Sequence, residues 1–226
     1  MGKIISRLNC MRQSKGILND KELSAVRSVI TALQANVEEI GHGWLFRPGP
    51  ALHHQIVNEM VHYLQRGNGR PVSQMLQDGF RVEAAQALVI FLNRKTQCLL
   101  PDYIQALALD APASVLPEMV ATDVLGLIKQ DLPTKRLELI LLLLRLLDTV
   151  IKYSPADELR GSTLPLSMLP LFFNITNSHI SDWRRIVTIF VELIRQGQNE
   201  ANPNNTYSSG ESSYTNMSRE TVHMSI

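Results

Sequence analysis

Arg47 is the residue whose surroundings point most directly to chemistry. It lies in the segment Gly41-His-Gly-Trp-Leu-Phe-Arg-Pro-Gly-Pro50, where glycine and proline make a stiff turn between two helices rather than a solvated helix face. Trp44, Leu45 and Phe46 are apolar anchors that would enter a core and leave the guanidinium projecting, an arrangement suited to setting a positive charge against a phosphate. The plainer alternative is an arginine that caps a helix end or pairs with a carboxylate.

Other reactive side chains are scattered. The six histidines fall at 42, 53, 54, 62, 179 and 223. His54 and His62 are eight residues apart, beyond the i, i+4 spacing with which one helix grips a metal ion, and no acidic residue completes a ligand set. No metal and no cofactor are expected. The two cysteines, Cys10 and Cys98, make neither a CxxC pair nor a disulfide framework, so a reduced, intracellular setting is the expectation. The chain has no Gly-x-Ser-x-Gly elbow, no phosphate-cradling Gly-x-x-x-x-Gly-Lys loop and no dinucleotide fingerprint, which leaves hydrolase, nucleotidase and dehydrogenase readings without support. With 22 Lys and Arg against 21 Asp and Glu, it also lacks the basic excess that tracking a nucleic acid demands.

The two ends carry signals of a different kind. Met1-Gly2-Lys3-Ile4-Ile5-Ser6 fits the pattern for myristoylation of Gly2. One acyl chain holds a membrane only marginally, but Lys3, Arg7, Arg12 and Lys15 add attraction to an anionic inner leaflet, and Cys10 offers a palmitoylation site. Residues 1–19 are therefore expected to anchor a cytoplasmic protein peripherally at the membrane; the apolar core of a secretory signal is missing. Residues 197–226 are rich in Asn, Ser, Thr and Gly and are expected to be a disordered polar tail. The glycosylation triplets Asn204-Asn-Thr206 and Asn216-Met-Ser218 are then expected to go unused, and Met224-Ser-Ile226 is a candidate ligand for a PDZ partner.

What must position Arg47 is a set of helices. With Asp20 as N-cap, Leu23, Val26, Ile30, Leu33, Val37 and Ile40 recur at steps of three and four and form one stripe. Leu52, Ile56, Met60, Val61 and Leu64 form a second, closed by Gly67-Asn-Gly69. A short helical segment follows at 72–77. Residues 82–93 then turn Val82, Ala85, Leu88, Val89 and Leu92 inward, and a helix from Pro101 buries Ile104 and Leu107. After a loop at 110–117 come a helix over 118–130, a strongly apolar one from Pro133 to about Tyr153 expected at the centre, and helical segments at 162–175 and 181–195. Strand patterns are nearly absent. The expectation is an all-α fold, a single bundle of about seven to nine helices over residues 20–196.

Gly43-Trp-Leu-Phe-Arg47-Pro-Gly49 resembles the G-(I/L)-F-R-x-x-G turn of RhoGAP domains, all-helical activators of Rho-type GTPases. Val82–Pro101, VEAAQALVIFLNRKTQCLLP, resembles a helix of the same family, and 135–153 with Arg160 to Asn174 resembles its later segments. The resemblance, which runs over about residues 22–195, implies that Arg47 is an arginine finger offsetting charge that develops on the transferred phosphate. It implies a GTP-bound Rho-family GTPase as partner, with Arg94 and Lys95 among the contacts. Several family positions differ here: a helix lysine falls on Val89, an arginine on Asn93, an asparagine on Pro165, Leu-Pro-Glu-Pro becomes Lys95-Thr-Gln-Cys98, and one residue fewer separates Arg47 from Gly49. The alternative is a non-catalytic RhoGAP-like adaptor that binds a GTPase or another signalling protein without stimulating hydrolysis. A helical-repeat domain ranks behind both, since no repeat period is visible.

Overall fold

The computed structural model describes residues 17–35, 45–46, 52–153 and 166–200. Of these, 78% are helical and none is in a strand. Nine α-helices occur among the described residues: α1 (Asp20–Ala35), α2 (His54–Gln65), α3 (Gly69–Gln77), α4 (Arg81–Lys95), α5 (Asp102–Leu109), α6 (Pro117–Asp131), α7 (Thr134–Tyr153), the single turn α8 (Leu169–Phe172) and α9 (Trp183–Glu200). The all-α bundle expected from spacing is what is found.

The chain packs as two connected groups. Helix α2 lies against α4, and α3 against α1, while α5, α6, α7 and α9 form the other half; α1 reaches across to α7. That crossing is reinforced by Arg27, whose Nε donates to Glu138 Oε1 at 2.9 Å. The turn between α2 and α3 is glycine-dependent for two reasons. Gly67 has φ of +70°, which a side chain would disfavour, and a Cβ on Gly69 would meet the backbone of Ala25 at 2.7 Å. The Gly67-Asn-Gly69 signal therefore marks both a turn and a close approach of α3 to α1.

Several boundaries differ from the expectation. Helix α1 is capped by Asn19 rather than Asp20: Asn19 Oδ1 accepts from the Glu22 N–H at 3.0 Å, and Glu22 Oε2 accepts from the Asn19 N–H at 3.1 Å, a reciprocal capping box. The positions 36–40 expected to extend α1 lie outside the described residues. On α5 the buried residues are Ile104, Gln105 and Ala108, and Leu107 is exposed. Of the helix expected at 162–175, the described part, from residue 166 on, holds only a 3₁₀ turn, Leu166–Met168, and α8. It stops because its backbone groups are taken elsewhere: the Leu171 carbonyl accepts from Leu99 N at 2.8 Å, and the Asn174 N–H donates to Gln105 Oε1 at 2.7 Å.

The helix enclosed most completely is α4 rather than the more apolar α7. Every residue from Glu83 to Leu88 is buried, followed by Phe91 and Leu92, and the alanines at 84, 85 and 87 let neighbours approach closely. On α7, Leu137, Leu141, Leu142 and Ile151 are only partly buried. Finally, α9 continues through Glu200, beyond the boundary expected at 197, and Gly197 is buried within it.

Two helical glycines should respond oppositely to one added methyl. At Gly126 a Cβ would meet nothing within 4 Å, whereas at Gly197 it would lie 2.5 Å from Leu144 Cδ1 and 3.1 Å from its Cβ. Gly126→Ala should stabilise by about 0.5–1 kcal/mol through helix propensity. Gly197→Ala should destabilise, because overpacking costs about 1–3 kcal/mol and outweighs the same gain. Denaturant midpoints of the two variants check both signs.

Candidate functional site

The segment leading to Arg47 is fixed to α4 from below. Leu45 and Phe46 are fully buried, as the anchoring expectation for them requires. The Phe46 carbonyl accepts a hydrogen bond from Gln86 Nε2 at 2.7 Å. On the far side of the loop, the His53 N–H donates to Glu83 Oε1 at 3.2 Å. Glu83 and Gln86 are one helical turn apart, and both are buried. A polar side chain in so apolar a helix is costly unless paired, and these two are paired with the two ends of one loop.

Arg47 itself, with Gly43, Trp44 and Pro48–Pro50, lies outside the described residues, as do Gly2, Cys10, Pro165 and Met224–Ile226. Around the anchor, Val89 is half-buried and Asn93 exposed. Both continue the face of α4 that carries Gln86, at steps of three and seven residues. Arg94 is exposed at the end of the helix. Lys95 is engaged within the domain: its ammonium pairs with the buried carboxylate of Glu22 and lies 5.5 Å from the centre of the Phe91 ring. The two adjacent cations are therefore unequal, one free to meet a partner and one tying α4 to the capping box of α1.

A cleft of about 220 Å³ opens beside the α4–α5 connection, lined by Thr96, Cys98, Asp102, Gln105, Arg136 and Asn174 among others. Its polar groups serve the fold. Arg136 Nε donates to the Leu99 carbonyl at 2.7 Å and Nη2 to the Cys98 carbonyl at 3.3 Å. Gln105 Nε2 donates to Leu100 O at 2.7 Å, and Thr96 Oγ1 donates to Cys98 O at 2.6 Å. Burial pushes the Arg136 guanidinium below its ordinary pKa. Burial, reinforced by the Asp102 carboxylate, pushes the Cys98 thiol up, so this cysteine is a poor nucleophile at neutral pH.

His53, His54 and His62 are exposed, and His53 meets the Phe80 ring edge-on at 6.0 Å. No group of His, Cys, Asp or Glu that could hold a metal occurs among the described residues, and none of the described helices is long and apolar enough to cross a membrane. Sequence reasoning missed Glu83, Gln86, Gln105 and Arg136. The available signal was a polar residue at an inward position of an apolar helix, which Gln86 satisfies between Ala85 and Ala87. The chain matches no family model, no curated protein and no solved structure.

The contrast between Arg94 and Lys95 is measurable. Lys95→Met leaves the buried Glu22 carboxylate without its cation and should destabilise by about 1–3 kcal/mol, short of a fully buried pair because Lys95 is partly solvated. Arg94→Ala should change stability by less than about 0.5 kcal/mol. Urea unfolding of both variants provides the comparison.

Proposed function

We propose that this chain is a RhoGAP-like protein that engages a GTP-loaded Rho-family GTPase and presents Arg47 to the nucleotide as an arginine finger. The observation that supports the reading is the anchoring of Phe46, the residue immediately before Arg47, to Gln86 of α4. An arginine finger acts through position: its charge must meet the phosphate oxygens as negative charge builds, without first ordering a mobile loop. A buried helix holding the segment at both ends is a scaffold suited to that demand.

A second reading rests on specific residues. Val89 and Asn93 bring no charge to the exposed face of α4, and Lys95 is occupied by Glu22, leaving Arg94 as the cation at that end. Fewer charge-assisted contacts mean weaker association, and this favours either slow stimulation or a non-catalytic GTPase-binding adaptor. Rates separate the two. Rho-family GTPases loaded with GTP should hydrolyse faster in the presence of the protein, and Arg47→Ala should remove nearly all of that gain. The loss should be about a thousandfold where a finger acts at full strength, with little change in melting temperature or in affinity for the GTP-bound state. Binding without acceleration would establish the adaptor instead.

The N-terminal segment is proposed to place this activity at the inner leaflet through acylated Gly2, with Cys10 and the basic residues Lys3, Arg7, Arg12 and Lys15 as the second signal. Gly2→Ala should move the protein from the membrane to the soluble fraction on cell fractionation. Neutralising the four basic residues should do so in part. Membrane association that survives Gly2→Ala would eliminate the anchor.

A further inference from the structure

Several helix ends meet where α1 begins. Leu18 is buried just ahead of it. The start of α7 is tied to this place by Lys135, whose ammonium lies 2.8 Å from Asp20 Oδ1, and the end of α4 by the pairing of Lys95 with Glu22. The turn from α2 to α3 completes this end of the bundle: a Cβ on Gly67 would lie 2.5 Å from Lys21 Cβ. By covalent continuity alone, the residues before Ile17 join the domain at the same end.

On the α1 and α2–α3 side of this end the charges do not balance. Within residues 19–28 and 62–74 the carboxylates are Asp20 and Glu22, and each is already matched by a cation from another helix, Lys135 and Lys95. Arg27 is matched in turn by Glu138. Lys21, Arg66 and Arg70 are left over; all three are exposed, and none pairs with a carboxylate among the described residues. The next carboxylates along the two helices are occupied as well: Glu59 Oε1 accepts from the Tyr63 hydroxyl at 3.1 Å, and Asp78 Oδ1 from Gln74 Nε2 at 3.4 Å. In a chain whose formal net charge is +1, this is a local concentration of positive charge. The fold itself has no use for two of the three. Lys21 and Arg70 stand in the first turns of α1 and α3, where a cation opposes the helix dipole, and α3 has neither an acidic residue in its first turn nor a side-chain cap. Arg66, at the C-cap of α2, is placed as the dipole favours.

We propose that Lys21, Arg66 and Arg70 form a docking surface for an anionic membrane leaflet, so that the domain lies with this end against the lipid headgroups. The proposal rests on the inner-leaflet reading of the N-terminal segment and extends it to the folded domain. Charge complementarity favours this occupant. The three cations are exposed and spread over two helix starts and one helix end, rather than converging in a buried pocket as a discrete anion site requires, and a leaflet attracts each through a diffuse field that demands no precise geometry. Because the segment carrying Gly2 joins the domain at this same end, its lipid anchor and the basic surface can meet one leaflet together.

The test is sedimentation of the full, unacylated chain with vesicles containing phosphatidylserine and with vesicles of phosphatidylcholine alone. Binding is expected to the first only, and to weaken as salt rises. Replacing Lys21, Arg66 and Arg70 together by Gln should lower partitioning about a hundredfold, roughly fivefold for each charge. The same replacement at Lys129, Arg184 and Arg195, exposed on α6 and α9, should lower it by less than about twofold. Equal losses in the two triple variants would trace binding to net charge and overturn the proposal, as would a Lys21, Arg66 and Arg70 variant that partitions like the unmutated chain. Arg70→Gln alone guards against misfolding: it takes a cation from a helix start, so the melting temperature should hold or rise slightly while partitioning falls about fivefold. A folded Arg70→Gln chain with undiminished partitioning would count against the surface. Phosphate and chloride at equal ionic strength should release the protein equally, and selective release by phosphate would reveal a discrete anion site instead of a leaflet-facing surface. The acyl anchor is judged by Gly2→Ala in cells, whereas every chain in the vesicle experiment lacks the acyl group, so a failure of either reading is told apart from a failure of the other.

Discussion

Enclosing α4 on every side from Glu83 to Leu88 removes water from two polar side chains that then require partners, and the fold supplies them from the loop before α2. The consequence runs in both directions. The helix can be central only because Phe46 and His53 satisfy Gln86 and Glu83, and the loop ends are fixed only because the helix cannot give way. Alanines at 84, 85 and 87 make this possible by letting neighbours approach closely enough for short polar side chains to reach. A longer apolar set at those positions would push the partners apart and leave the polar groups unsatisfied.

The far end of α4 obeys the same accounting of backbone groups. After Lys95 the chain leaves the helix and runs without regular structure to Pro101, so its carbonyls need partners from elsewhere. Arg136 of α7 supplies donors to Cys98 and Leu99, Gln105 of α5 to Leu100, and Thr96 to Cys98. Gln105 also takes the Asn174 N–H, which joins the α4–α5 connection to the segment after α8. The polar cleft at this place is the visible edge of that network. Its arginine has a role that requires no ligand: a delocalised cation with fixed geometry bridging two adjacent carbonyls.

Much of the bundle was legible from spacing alone. Steps of three and four marked α1, α2, α4 and α9, and α7 was marked by its continuous apolar run. The errors share a cause. The α1 cap depends on a reciprocal pair with Glu22, whose carboxylate is also held by the distant Lys95, and the truncation at α8 depends on Leu99 and Gln105, which take the Leu171 carbonyl and the Asn174 N–H. The same limit governs the site. Arg94 and Lys95 are adjacent basic residues that propensity cannot distinguish, and only the neighbouring capping box ties one to the buried Glu22 carboxylate and leaves the other to solvent. Gln86 was visible as a polar residue among alanines, but that its amide meets the carbonyl before Arg47 follows only from folding the loop onto the helix.

On the proposed reading, this division of charge has a mechanistic meaning. A finger needs one cation delivered accurately, and accuracy comes from buried hydrogen bonds that salt screens little. Affinity for an anionic partner needs several exposed cations, and those are sparse on the face of α4 beyond Gln86: Val89 and Asn93 are uncharged, and Lys95 is tied to Glu22. Presentation and affinity are thus supplied by different residues and can be lost separately. A chain in which the loop anchors are intact while the surrounding cations are thin would hold its arginine ready yet meet its partner weakly. An inner-leaflet anchor, as proposed, would compensate for that deficit without any new contact, because confining both partners to one surface raises their effective concentration.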